Sequence, residues 1–480
     1  MPITRQKIFS NLIWRFLERT GAQLVAFIVA IVLARILTPE DYGTIALITV
    51  FTTILNVFVD SGLGSALVQK KDADNVDFST VFYTNVIFCI IIYAILFFAS
   101  PFIADFYKRP ELTSVIRVLG ITILISGVKN IQQSYVSKTL QFKKFFFATL
   151  VGTVIAAIVG VWMAYHGFGV WALVAQQITN LSIDTILLWI TVKWHPDFIF
   201  SFERLKGLFS FGWKLLVSAL LDTTYNNLRN LIIGKNYSSE DLAFYTKGNL
   251  FPNAIVGNIN NAIDSVLLPA MAGEQDDKGR VKQMTRRAIK TGTYCIAPLM
   301  MGLAGCAPAI VHLLLTDKWL PCVPYMRIFC ITYMFWPIHT ANLNAIKALG
   351  RSDLFLKLEI WKKVVGLVVL FSTMWFGVMV MAYSLLFTSV TSQIINTWPN
   401  RKLLKYGYFE QLKDILPGII LAFVMGILIS LFNLFPLAEW IILIIQIPVG
   451  IIIYISFSMI FKLESFEYLK NSIQEKFIHK

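Results

Sequence analysis

Long apolar runs alternate with short polar segments from one end of the chain to the other. A helix that crosses a bilayer needs about 20 predominantly apolar residues, and about fourteen windows meet that length. They are 8–33, 42–66, 79–104, 112–136, 146–166, 169–192, 207–233, 242–268, 288–316, 322–346, 354–376, 378–398, 414–436 and 438–461. The pattern predicts an all-α polytopic membrane protein.

Composition supports this prediction. Hydrophobic residues make up 56% of the 480 residues and charged residues only 15%, whereas soluble domains carry about 25% charged residues. The first apolar run contains Arg15, Glu18 and Arg19, and no small-residue cleavage site follows it. We therefore interpret it as a membrane span and not as a signal peptide.

The basic residues are distributed unequally between the two sets of alternating loops. If the N-terminus is inside, 27 of the 42 lysines and arginines fall in cytoplasmic segments and five in the opposite loops. The positive-inside rule then places both termini in the cytoplasm and requires an even number of spans. The net charge of +14 is explained by topology, so nucleic acid is not a predicted partner.

An internal repeat divides the chain. Within LARILTPEDYGTIAL (33–47), the segment RILTPEDYG (35–43) aligns with KNYSSEDLA (235–243), and NVFVDSGL (56–63) aligns with NNAIDSVL (260–267). Matches that keep their order while the offset drifts slowly, here from 200 to 204 residues, indicate a structural repeat. We predict two six-helix lobes, 1–200 and 201–405, followed by two additional helices and a tail, 406–480. Because six spans is an even number, the lobes should relate by a pseudo-twofold axis along the membrane normal, with the substrate path between them.

The polar segment inside each copy has a predicted structural role. Thr38 and Ser238 are suited to cap the helix that follows them, and Glu40, Asp41, Glu240 and Asp241 fall at its positive N-terminal end.

The motif LARILTPEDYGTIAL, the Trp-Arg pair in the first span, the fourteen spans and the six-plus-six repeat together resemble the polysaccharide transporter family. These are the Wzx-type flippases of the multidrug/oligosaccharidyl-lipid/polysaccharide exporter superfamily. The resemblance implies a protein that is not an enzyme and that moves undecaprenyl-pyrophosphate-linked oligosaccharide repeat units across the bacterial inner membrane, for lipopolysaccharide or exopolysaccharide synthesis, by alternating access. Polysaccharide polymerase and glycosyltransferases are the partners that it implies.

Polar residues within the spans form the candidate substrate cavity, because intramembrane charges are costly and commonly functional. The cavity candidates are Arg15, Arg19, Lys129, Gln176, Asn180, Lys214, Asn226 and Arg229. Cations outnumber acids here, and a pyrophosphate head group would supply the missing anion. The alternative is that these groups pair with one another, Arg15 with Glu18 and Arg229 with Asp222.

Four acids are candidates for coupling to H⁺ or Na⁺, because acids in a low dielectric have tunable pKa values: Asp60, Asp184, Asp222 and Asp264. Local capping or pairing is the favoured role for Asp60 and Asp264, which leaves Asp222 as the better candidate. The chain lacks a Walker A sequence, so direct ATP-driven transport is not predicted. No metal or cofactor site is predicted either, and His339 is expected to hydrogen-bond within the core.

Two other functions are weighed against flipping. A multidrug cation antiporter of the same superfamily would usually have twelve spans and an acid-rich cavity. A membrane polymerase or ligase would need a large periplasmic loop to hold its reactive residues, and all the predicted periplasmic loops are short.

Overall fold

The computed structural model describes residues 5–60, 62–70, 72–139 and 141–478, without the side chains of 5–20, 60, 211, 472, 473 and 476–478. This part of the chain contains α-helices, short 3-10 helices and no strand, so the all-α prediction is confirmed. The helices are α1 (Arg5–Ile36), α2 (Pro39–Asp60), α3 (Leu63–Gln69), α4 (Asn75–Phe106), α5 (Leu112–Thr139), α6 (Phe142–Tyr165), α7 (Val170–Thr191), α8 (Phe202–Asn236), α9 (Ser239–Ala272), α10 (Lys278–Leu315), α11 (Val323–Tyr333), α12 (Trp336–Ala348), α13 (Ser352–Thr373), α14 (Val378–Leu403), α15 (Tyr408–Ser430), α16 (Glu439–Ile460) and α17 (Glu464–Ile478).

Each predicted span contains a helix or a pair of helices. Within the described residues, nine helices are long and apolar enough to cross a membrane: α2, α4, α5, α6, α7, α10, α14, α15 and α16. The other windows fall on α1, α8, α9, α13 and the pair α11–α12, so the total of fourteen stays a prediction. The tenth window is broken at residues 334–335, and α12 then begins with Pro337 in its first turn, where proline is tolerated.

Contacts divide the chain into two units, Met1–Ala243 and Phe244–Lys480. In the first unit α6 packs on α1 and α7, α5 packs on α4 and α7, and α2 packs on α5 and α8. Glycines permit two close approaches in this unit, one between α2 and the first residue of α9 and one between the start of α3 and α8. A Cβ on Gly43 would lie 1.8 Å from the Ser239 carbonyl oxygen, and one on Gly62 would lie 2.4 Å from that of Gly212. The predicted lobe boundaries remain predictions.

In the second unit α10 is the central helix, with α11, α12, α15, α16 and α17 packed on it. Its two prolines, Pro298 and Pro308, each remove the hydrogen bond to the carbonyl four residues earlier. Other helices supply donors to those carbonyls. Tyr454 Oη of α16 donates to Tyr294 O at 3.0 Å, and Arg327 Nε of α11 donates to Ala304 O at 3.2 Å.

The first unit contains the same arrangement. Pro101 lies inside α4 and frees the Phe97 carbonyl, to which Arg117 Nε of α5 donates at 3.3 Å. The Arg117 guanidinium also lies 4.2 Å from the centroid of the Phe97 ring. Each unit thus pairs a proline in one helix with an arginine from the next helix that hydrogen-bonds the freed carbonyl.

The helix starts of the repeated polar segment have the predicted caps. Asp41 N donates to Thr38 Oγ1 at 3.2 Å, and Thr38 N donates to Asp41 Oδ2 at 3.0 Å. The equivalent bonds join Ser238 and Asp241 at 3.0 and 3.2 Å. Each pair is a reciprocal capping arrangement that satisfies otherwise unpaired N–H groups at a helix start.

An ionic cluster fixes the start of α4 in the first unit. Asp74 caps the helix reciprocally with Asp77, and the fully buried Asp77 carboxylate lies 2.7 Å from Lys70 Nζ and 3.2 Å from the Arg204 guanidinium. The pKa of Asp74 is lowered, first by the hydrogen bond from the Asp77 backbone N–H and also by Arg204. The cluster therefore fastens α8 and the α3–α4 connection to one helix end.

Candidate functional site

Two candidate residues of the first unit form a buried ion pair. Lys129 Nζ of α5 contacts Asp184 Oδ2 of α7, and the two side chains are 13% and 8% exposed. The second carboxylate oxygen of Asp184 has no hydrogen-bond partner among the described residues. The positive charge of Lys129 is therefore compensated within the unit.

The candidates on α8 lie along a more open face of the first unit. Asp222, Asn226 and Lys214 are exposed in the unit, and Arg229 is half-buried. Asn226 Nδ2 donates to Asp222 Oδ2 at 3.1 Å, one helical turn away. Lys214 has no ion-pair partner among the side chains that the structure describes.

Gln176 and Asn180 of α7 lie where α6 and α7 pack. A Cβ on Gly160 of α6 would lie 3.0 Å from the Gln176 Cβ, and one on Gly152 would lie 3.2 Å from Asn180 Oδ1. Both amide residues are half-buried. Both side chains therefore lie against glycines of α6, and helix packing accounts for part of their position without a ligand.

Three candidates carry side chains outside the described residues: Arg15, Arg19 and Asp60. Their helices are described, and α1, which carries both arginines, packs on α6.

In the second unit, Asp264 of α9 belongs to a pair of hydrogen-bonded contacts between α9 and α12. Asn344 Nδ2 donates to Asp264 Oδ1 at 2.8 Å, and Thr340 Oγ1 donates to Asn260 Oδ1 at 2.6 Å. Local pairing is the role that we favoured for Asp264 from the sequence.

A buried amide network joins α12, α14 and α15 in the same unit. Asn342 and Gln411 exchange two hydrogen bonds of 2.8 and 2.9 Å, and Asn400 Nδ2 donates to Asn342 Oδ1 at 2.7 Å. Nearby, His339 Nδ1 lies 3.1 Å from Asn396 Nδ2, which fits the hydrogen-bonding role expected for this histidine.

Sequence reasoning missed Arg117 and Arg327. Both fall inside predicted spans, but neither follows a polar helix face, so neither was selected. The repeat itself could have indicated them, because each copy has a proline in one span and an arginine in the next. Pro101 precedes Arg117 in the first copy, and Pro308 precedes Arg327 in the second.

Residues 32–324 match the family described as polysaccharide biosynthesis protein. The chain belongs to this family. The resemblance drawn from the sequence motifs is thereby confirmed, and the matched range includes Lys129, Asp184, Asp222 and Arg229.

Curated relatives are similar over most of the chain. It is 24% identical over 431 residues to the teichuronic acid biosynthesis protein TuaB of Bacillus subtilis, covering 89% of each chain. It is 23% identical to the succinoglycan biosynthesis transport protein ExoT of Rhizobium meliloti, covering 69% of this chain and 67% of the relative. It is 20% identical to the lipopolysaccharide biosynthesis protein WzxC of Escherichia coli, covering 75% and 73%.

Solved structures share the fold. The inward closed conformation of the lipid II flippase MurJ superposes with a TM-score of 0.73 at 14% identity, covering 95% of this chain and 99% of that one. An inward-facing multidrug resistance transporter of the MATE family gives a TM-score of 0.62 at 14% identity, covering 82% and 98%. The protein is thus a multi-pass membrane protein with the fold of this transporter superfamily.

Proposed function

We propose that the protein is a flippase that moves lipid-linked oligosaccharide from the cytoplasmic to the periplasmic leaflet of a bacterial inner membrane. The observation that carries the proposal is family membership over residues 32–324. The names of the relatives support it, because they connect similar chains with the synthesis or transport of teichuronic acid, succinoglycan and lipopolysaccharide. The substrate would be an undecaprenyl-pyrophosphate-linked repeat unit, supplied by glycosyltransferases and passed to a polymerase.

The basic residues of α1 and α8 are the proposed contacts for the pyrophosphate: Arg15, Arg19, Lys214 and Arg229. The exposure of Lys214 in the first unit supports this role, because an ammonium or guanidinium at membrane depth is stabilised by an anion. Lys129 is a weaker candidate, since Asp184 already neutralises it.

Asp222 is the proposed site of coupling to H⁺ or Na⁺. It is exposed in the first unit and accepts a hydrogen bond from Asn226. Asp60 and Asp264 are proposed to act locally at their helix ends, and Asp184 to act with Lys129.

The function is tested by reconstituting the purified protein in liposomes loaded with lipid-linked oligosaccharide from the producing strain. Vesicles with the protein should expose inner-leaflet glycan to an external lectin faster than protein-free vesicles. A multidrug transporter would instead move an organic cation and leave the glycan inside, and that result would overturn the proposal. In cells, deletion of the gene should accumulate the lipid-linked glycan on the cytoplasmic leaflet, where mass spectrometry identifies it.

A further inference from the structure

A pocket of about 520 Å³ lies between α3 and the last turns of α5 in the first unit. Its polar lining consists of amides and hydroxyls, with no charged side chain among the lining residues that the structure describes. These residues are Ser65, Gln69, Asn130, Gln133, Ser134 and Ser137. The volume falls within the range of small-molecule sites.

The sequence builds this pocket from two helix faces. On α5 the polar residues recur at positions i, i+3, i+4 and i+7, which fall on one face of a helix. On α3, Ser65 and Gln69 are one turn apart and face them. Gly64 lets the two helices approach, because a Cβ at that position would lie 2.7 Å from Ser134 Oγ.

Most of these polar groups are unused by the protein. Asn130 Nδ2 donates to Val59 O at 2.8 Å, and the other five side chains have no hydrogen-bond partner within the described part of the chain. Polar groups that line a pocket in an otherwise apolar chain are stabilised only by water or by a polar ligand.

The chemistry of the lining residues indicates which class of ligand the pocket can bind. Amides and hydroxyls both donate and accept hydrogen bonds, as sugar hydroxyls do. An anion finds no cation here. The lysines that follow two lining residues in the sequence have other partners, Lys70 with Asp77 and Lys138 with the Leu67 carbonyl.

We propose that this α3–α5 pocket binds a sugar residue of the transported glycan and contributes to selection of that glycan. The inference rests on the proposed flippase function and assigns its sugar contacts to one place. The pocket lies beside Lys70 and Lys138, at the end of the unit that the charge distribution assigns to the cytoplasm, where the substrate would be loaded.

The test measures binding of two lipids to the purified full-length protein by native mass spectrometry. The first probe is the lipid-linked oligosaccharide extracted from the producing strain, and the second is undecaprenyl pyrophosphate without sugar. The variant Gln133→Leu/Ser134→Ala removes two to three hydrogen-bonding groups, so it should bind the glycosylated lipid at least tenfold more weakly and the sugar-free lipid as the wild type does. Gln474→Leu, on the exposed face of α17, is the matched control and should bind both lipids normally.

Unchanged binding of the glycosylated lipid by the double variant would overturn the pocket assignment while leaving the flippase proposal intact. Equal weakening for both lipids would also overturn it, since the effect would not depend on sugar. If the wild type binds neither lipid, the proposed function fails, and the pocket assignment fails with it. If the double variant shows no thermal unfolding transition and is therefore not folded, the single variant Ser137→Ala is compared with the wild type in its place. Ser137→Ala should also weaken binding of the glycosylated lipid relative to the sugar-free lipid, and an unchanged preference between the two lipids would contradict the pocket assignment.

Discussion

Lys129 and Asp184 show how a charge that looks functional in the sequence can be satisfied locally. Both lie within spans and on different helices, and their side chains meet with little exposure. Replacing one partner of such a pair strands the other charge, which costs about 3–5 kcal/mol, whereas replacing both with neutral groups is often neutral.

Asp184→Asn should therefore lower the thermal unfolding midpoint of the detergent-purified protein, and Lys129→Met/Asp184→Asn should recover most of the loss. The measurement is unfolding monitored by size-exclusion chromatography after heating. If Asp184→Asn is as stable as the wild type, the pair does not stabilise the unit. If the double variant is stable and still exports glycan, neither residue binds the head group.

Asp222 differs from Asp184 in being exposed in its unit, and it accepts a hydrogen bond from the neutral amide of Asn226. If its ionisation drives transport, Asp222→Asn should abolish the pH or sodium dependence of glycan export and leave the protein folded. The assay is lectin access in proteoliposomes at several pH values, with and without a sodium gradient. Wild-type rates with unchanged pH and sodium dependence would remove Asp222 from the coupling mechanism.

At the scale of helices, proline and arginine act as a pair in each unit. Pro101 leaves the Phe97 carbonyl of α4 without its helical donor, and Arg117 of α5 supplies one. A hydrogen bond from a charged donor contributes about 1.5–3 kcal/mol. The same logic joins Pro308, the Ala304 carbonyl and Arg327 in the second unit.

Arg117→Gln should thus destabilise the protein, and a second change, Pro101→Ala, should suppress the defect because alanine restores the N–H that bonds to Phe97 O. Thermal unfolding of the single and double variants measures the suppression. Pro308→Ala is the matched control, since it repairs a different helix and should not rescue Arg117→Gln. If Pro101→Ala and Pro308→Ala rescue Arg117→Gln equally, the rescue is a general stabilisation and does not come from restoring the hydrogen bond to the Phe97 carbonyl.

The helices and their caps could be predicted from sequence, whereas these pairs could not. The length of an apolar run is a local property of the sequence, and each predicted window contains a helix or a pair of helices. The caps are local too, because Thr38 and Asp41, like Ser238 and Asp241, are only three residues apart. Arg117 and Phe97 are joined by tertiary packing, and their partnership depends on an angle between two helices that periodicity does not encode. The α3–α5 pocket was missed for the same reason, since its two polar faces come from helices more than sixty residues apart in the sequence.

At the scale of the whole molecule, α15 and α16 dock on α10 through specific polar contacts as well as apolar ones. In the 3-10 turn between α15 and α16, Asn433 Nδ2 donates to the Gly305 carbonyl at 2.9 Å, three residues before Pro308, and Tyr454 of α16 donates to the Tyr294 carbonyl, four residues before Pro298. Two proline-containing regions of one helix therefore receive donors from the C-terminal helix pair. The two additional helices are thus held against α10 by hydrogen bonds at defined positions, and we expect them to move together with α10.

The direction of transport depends on the membrane orientation, which the charge distribution predicts and a labelling experiment can decide. The polar segment at the start of α9 should face the periplasm, and the polar segment that leads into α10 should face the cytoplasm. Glu240 and Asp276 are exposed positions in these two segments. A cysteine at Glu240 should react with a membrane-impermeant maleimide in intact cells, and one at Asp276 should react only after the membrane is opened. Cys295 is the exposed native cysteine among the five and is replaced by serine in the background, while the other four are buried. The reverse pattern would place both termini outside, turn the α3–α5 pocket away from the cytoplasm, and make loading of a cytoplasmic lipid-linked glycan at that pocket impossible.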